Sequence, residues 1–177
     1  MNAADRKRVV IVGAGFGGLA AAKVLGSRDE GSPIAVTVID KLNYHLFQPL
    51  LYQVAMAGLA ATDVAYPIRA ALHGRRNISV LLGEVTGVDI TARTVRLDDG
   101  TTLPYDYLVM AAGAQTSYFG HEDWAKFAPG LKDLDDALEV RIDPASVAPQ
   151  EVMELGDAYR QVVEGGRVAT RAALARL

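Results

Sequence analysis

Residues 8 to 18 read Arg-Val-Val-Ile-Val-Gly-Ala-Gly-Phe-Gly-Gly, a short β-branched run that breaks directly into a glycine-rich turn. A second apolar run, Ile34 to Ile39, ends in Asp40. Few folds accept this order. Gly13 lets the chain turn sharply out of a strand. Gly15, without a Cβ, lets a pyrophosphate approach the main chain, and Gly18 lets the following helix lie close on the strand. A helix opening near Gly17 presents free N–H groups and the positive end of its dipole to phosphates. Asp40 stands where a carboxylate accepts the hydroxyl hydrogens of a ribose. A tight turn with no ligand would explain one glycine, but not three at this spacing with an acid beyond them. These residues predict an α/β, Rossmann-like dinucleotide-binding domain on a parallel sheet.

Composition narrows the function classes. The 177 residues are enough for a domain with a real core, half of them are apolar, and the net charge is −3. No basic stripe with interleaved aromatics is present, which argues against a nucleic-acid partner. Arg6, Lys7 and Arg8 read as a solvated lead-in to the first strand. There is no cysteine, so disulfides, thiolate metal sites and a redox dithiol are excluded. His45, His73 and His121 lack metal-ligand spacing, and no metal is expected. No signal peptide is visible, and the longest nearly apolar stretch, Leu50 to Ala61, is too short to span a bilayer.

Along the chain, Arg8 to Val12 predicts a strand buried on both faces, Gly17 to Leu25 a helix, and Ile34 to Ile39 a parallel strand. Lys41 to Ala61 is a long apolar-rich connection without evident structure, the kind of loop that tends to be functional. Thr62 or Asp63 caps a predicted helix running to about His73, and Ile78 to Leu82 is a third strand. After Glu84 the pattern turns short and alternating through Val85–Ile90, Thr94–Leu97 and Thr101–Leu103, with a turn at Asp98-Asp99-Gly100. This predicts a small antiparallel meander. Tyr105 to Met110 returns as a buried strand ending in Ala111-Ala112-Gly113. Residues 142–177 read as a helical tail set off by two proline loops, which divides the chain into 1–141 and 142–177.

The opening turn, the stretch Tyr44-His45-Leu46-Phe47-Gln48-Pro49-Leu50-Leu51-Tyr52-Gln53-Val54-Ala55 and the stretch Tyr105 to Gly113 together resemble the type II NADH dehydrogenases. These are flavoproteins with two dinucleotide folds, and the resemblance covers roughly residues 8 to 141. It implies FAD bound by Gly13, Gly15, Gly18 and Asp40, with Ala14, Phe16, Gly17 and Lys41 beside them. It also brings the main chain at Glu84 and Val85 near the adenine. Ala111, Ala112 and Gly113, with His45, Gln48 and Gln53 from the loop, would approach the rest of the cofactor. Ala112 stands where the family commonly has Thr. The family's chemistry passes electrons from NADH through the flavin to a quinone, in the cytoplasm or at the inner face of the cell membrane. No protein residue is assigned a catalytic role, because the flavin carries the chemistry.

The chain lacks a second glycine turn for NADH, and Leu155-Gly156-Asp157 reads as helical rather than as the strand that would hold the flavin's ribityl end. The expected function is therefore a truncated NADH:quinone oxidoreductase represented by its FAD-binding part. A noncatalytic FAD- or ADP-binding module and an NAD-dependent dehydrogenase stay open as alternatives. His45 reads equally as a flavin neighbour and as a loop histidine bonded to backbone. Asp98 and Asp99 read as turn residues rather than paired catalytic carboxylates.

Overall fold

The computed structural model describes residues 6–29 and 31–140. The expected tail over 142–177, with its Gly-Asp at 156–157, lies outside the described residues. Strand β1 (Lys7–Val12), helix α1 (Phe16–Leu25) and strand β2 (Ile34–Asp40) follow in the expected order. Next come β3 (Tyr44–Leu46), α2 (Leu51–Ala55), α3 (Ala61–Val64), β4 (Ala65–Pro67) and α4 (Ile68–Ala71). Strand β5 (Ile78–Leu82) precedes the meander of β6 (Val85–Asp89), β7 (Thr94–Leu97) and β8 (Thr102–Pro104). Strand β9 (Tyr107–Met110) returns to the main sheet, and α5 (Leu134–Glu139) ends the described chain.

The main sheet is parallel, in the order β5-β2-β1-β9. Its centre is β1, whose alternate residues serve two cores. Val9 and Ile11 pack with Leu19 and Ala22 of α1, Val36 and Val38 of β2, and Ile68 of α4. Val10 and Val12 pack on the other side with Ile39, Val95, Leu97 and Tyr105, so the meander covers the second face. Two-sided burial is why β1 reads as an unbroken Val/Ile run. Each such side chain stabilises the sheet by about 1.5–3 kcal/mol. A third core joins Leu51, Val54 and Ala55 of α2 to Val64 and to Ala137 of α5.

Two expectations need correcting. The long connection is structured: β3 pairs antiparallel with β4, a short 3-10 turn spans Gln48–Leu50, and α2 follows. The single helix predicted from residue 62 to His73 is broken in two, because residues 65–67 are drawn into that pairing. Pro67 reinforces the break, since proline pushes the residue before it out of helical geometry.

Candidate functional site

The site grows from the end of β1. Gly13 N–H donates to the Ile39 carbonyl of β2 (2.7 Å), while Ala111 N–H, just past β9, donates to the Val12 carbonyl (2.8 Å). The turn therefore leaves the sheet between its two neighbours, above the crevice where strand order reverses and where open α/β sheets bind ligands. Gly13 has φ +93, and a Cβ there would lie 2.2 Å from the Ala111 carbonyl oxygen. A Cβ on Gly18 would lie 1.8 Å from the Gly13 oxygen. Packing alone thus dictates two of the glycines, one more than a turn without ligand was expected to explain. Gly15 is different. Its φ is −65, ordinary for any residue, and a Cβ would meet nothing within 4 Å. Nothing in the described chain requires glycine there.

The first bond of α1 runs from Leu19 N–H to the Gly15 carbonyl (2.9 Å). The N–H groups before it have no partner within the helix. Asp40 reaches the same turn from the end of β2. Its Oδ2 accepts from Ala14 N–H at 2.5 Å and its Oδ1 from Leu42 N–H at 2.8 Å. The carboxylate expected to serve a ribose also fastens the glycine turn.

Beside Asp40 lies a cavity of about 190 Å³ lined by Gly13, Asp40, Lys41, Glu84, Val85, Ala112 and Gln115. Residues from four separate stretches of sequence meet here. Two contributors escaped the sequence reading. Gln115 follows the Ala111–Gly113 turn with no motif to mark it. Asp98, read as a turn residue, also exchanges bonds with Glu84, its Oδ1 accepting from Glu84 N–H at 3.1 Å and its own N–H donating to the Glu84 carbonyl at 2.9 Å. Asp99 stays a turn residue: bonds from the Thr101 backbone and side chain hold its carboxyl below the usual carboxylate range.

On the far side of the turn, Phe16, His45, Phe47, Lys23 and Tyr66 line a groove of about 690 Å³ along α1. His45 Nδ1 sits 2.9 Å from the Ala14 carbonyl oxygen, and its ring meets Phe16 edge-on at 5.1 Å. His45 is thus bonded to backbone. Gln48 and Gln53 lie on neither cavity. Gln48 Nε2 donates to the Lys132 carbonyl (2.9 Å), tying the loop to the segment before α5, and Gln53 Nε2 donates to the Tyr52 hydroxyl (3.0 Å). Burial, followed by the charges of Asp135, Asp133 and Asp40, pushes the Tyr44 phenol above its ordinary value. Among the described residues no group of side chains could hold a metal ion, and no helix is long and apolar enough to cross a membrane.

Known proteins resemble this chain in sequence and fold. The chain is 54% identical over 139 residues to the type II NADH:quinone oxidoreductase NdhA of Mycobacterium tuberculosis, and 48% identical to Ndh of the same organism. The matched stretch takes in 77% of this chain but 29% of each relative. Among solved structures, NDH2 from Plasmodium falciparum in complex with NADH superposes with a TM-score of 0.67 at 29% identity, covering 77% of this chain and 28% of that one. The sulfide:quinone oxidoreductase of Aquifex aeolicus gives 0.65 at 27% identity, covering 85% and 32%. A family match extends over residues 7–173, beyond the last described residue. The chain belongs to the pyridine nucleotide-disulphide oxidoreductase family.

Proposed function

We propose that this chain is the FAD-binding part of a flavin-dependent NADH:quinone oxidoreductase, with residues 1–141 as its cofactor-binding unit. The observation that carries the reading is Gly15: a glycine that packing among the described residues does not need, at the mouth of α1, with no described atom where its Cβ would be. A diphosphate explains it, because the main-chain amides of residues 15–18 and the helix dipole favour an anion there. Asp40 fits the adjoining ribose. A carboxylate offers about four acceptor positions, and backbone amides take two of them. Lys41, Glu84, Val85 and Ala112 surround the adenosine end. His45, Gln48, Gln53, Ala111 and Gly113 belong to the elements that would face the rest of the cofactor.

When bound, the flavin supplies the redox chemistry, accepting a hydride from NADH and passing two electrons to a quinone. The protein's part is to fix the cofactor's position and exclude water. With no cysteine, these 177 residues contribute no dithiol to that chemistry. The same reading assigns the activity to the cytoplasmic face of the membrane, where a quinone is reached. The 177 residues contain one turn of this glycine spacing, and FAD claims it. The chain by itself is expected to retain flavin but to show little bleaching with NADH. Absorbance of the purified chain tests this: a colourless protein that instead enhances NADH fluorescence overturns the reading. Asp40→Ala is expected to weaken FAD binding about ten- to a hundredfold in a fluorescence titration, as the loss of a charge-assisted hydrogen bond implies.

A further inference from the structure

The geometry points to His45 as a positioning residue that aims the Gly15 amide at the cofactor's diphosphate without itself touching it. This rests on the FAD-binding reading above and assigns the part played by one side chain in that same site. A carbonyl oxygen can only accept, so the 2.9 Å contact requires His45 Nδ1 to carry the hydrogen and donate to Ala14. The Ala14 carbonyl and the Gly15 N–H belong to one peptide unit. The described backbone has no cis peptide bonds, and in a trans unit these two groups point in opposite directions. Holding the carbonyl against β3 therefore turns the Gly15 N–H away from the imidazole.

The preceding peptide unit is fixed in the same manner from the other strand. Asp40 holds its N–H at Ala14, and its carbonyl at Gly13 abuts Gly18. Two consecutive peptide planes are thus set by two side chains, one from β2 and one from β3. Ala14 itself is 1% exposed, so the pair of planes cannot roll as a unit without disturbing the core. Edge-on contacts of Phe16 with His45 at 5.1 Å and with Phe47 at 5.5 Å hold the imidazole in register with the turn. An amide N–H already aimed at its anion spares the ligand the cost of ordering it.

The test uses the full chain and three substitutions. His45→Asn keeps an N–H donor at the Nδ1 position, His45→Phe keeps an aromatic edge for Phe16 but no donor, and His45→Ala keeps neither. ADP and FAD affinities are measured by titration, alongside the melting temperature of the cofactor-free proteins. The Asn variant is expected to bind within about twofold of wild type, and the Phe and Ala variants about five- to tenfold more weakly, the fold-change of one lost hydrogen bond. A Phe variant that melts like wild type yet binds weakly separates aiming from folding. Asn binding as poorly as Phe, or Phe binding as well as wild type, overturns the inference. Nitrogen-15 NMR of the cofactor-free chain supplies a readout independent of binding: the neutral ring is expected as the Nδ1–H tautomer, with the Gly15 amide signal displaced in the Phe variant and restored in the Asn variant. The Nε2–H tautomer overturns the inference. A wild-type chain that shows the Nδ1–H tautomer but binds neither ADP nor FAD overturns the function proposed above instead.

Discussion

Three glycines in one motif do three different things, and substitution separates them. Gly13→Ala and Gly18→Ala drive a methyl into a backbone oxygen at 2.2 and 1.8 Å, and each is expected to destabilise the protein by about 3 kcal/mol or more in denaturant titration. Gly15→Ala meets no atom of the described residues within 4 Å and is expected to leave the cofactor-free melting temperature nearly unchanged while abolishing tight FAD binding. A motif read from sequence gives all three the same weight; only the contacts separate the two that packing requires from the one it does not. Arg8 is half exposed, as a solvated lead-in should be, and it also pairs: its guanidinium meets Asp106 at 3.0 Å and its N–H donates to the same carboxylate at 2.7 Å. Those bonds hold the Asp106 carboxyl at about 2, against an ordinary 3.8. A depressed carboxyl contributes stability that is complete above the ordinary value and lost as pH falls through the folded one. Thermal stability is therefore expected to decline between pH 4 and 2 in wild type and to decline less over that window in Asp106→Asn, measured by circular dichroism.

Strands and helices differed in how openly the sequence announced them. β1, α1, β2, β5 and β7 were legible because each has a strong local pattern and packs against the element expected from it. The stretch from 44 to 67 was not, because β3 and β4 are three residues each and exist through pairing with one another rather than through propensity. The cavity beside the glycine turn was legible in Gly13, Asp40, Lys41 and Val85, where motif and strand end coincide; Gln115 and the Asp98 clasp on Glu84 are tertiary facts. Asn77 carried no motif either, although it joins three elements. Its Oδ1 accepts from Ser27 N–H at 2.6 Å, and its Nδ2 lies within 3.0 Å of the Leu25 carbonyl and 3.2 Å of Ser32 Oγ. The residue is 6% exposed, so Asn77→Ala leaves buried polar groups unmatched at the end of α1 and the start of β2. We expect a loss of about 2–3 kcal/mol in urea unfolding, with ADP affinity at most slightly changed because the proposed cofactor site lies at the opposite strand termini.

Among the described residues, three layers (helices, parallel sheet, meander) enclose β1, and the crevice beside the glycine turn opens where β1 meets β9. Those two strands are neighbours in space although the Arg8–Asp106 bonds between them span 98 positions. Ala111 presses on Gly13, and Ala112 and Gln115 close the cavity beside Asp40. A chain cut after residue 104 retains the whole glycine motif and Asp40 yet is expected to bind no ADP in a calorimetric titration. The order of synthesis acquires a meaning from this. While the stretch between Asp40 and Met110 is being made, the nascent polypeptide carries a finished fingerprint facing an unbuilt wall, so on the proposed function loading of the coenzyme is expected to wait until the fourth parallel strand has emerged from the exit tunnel.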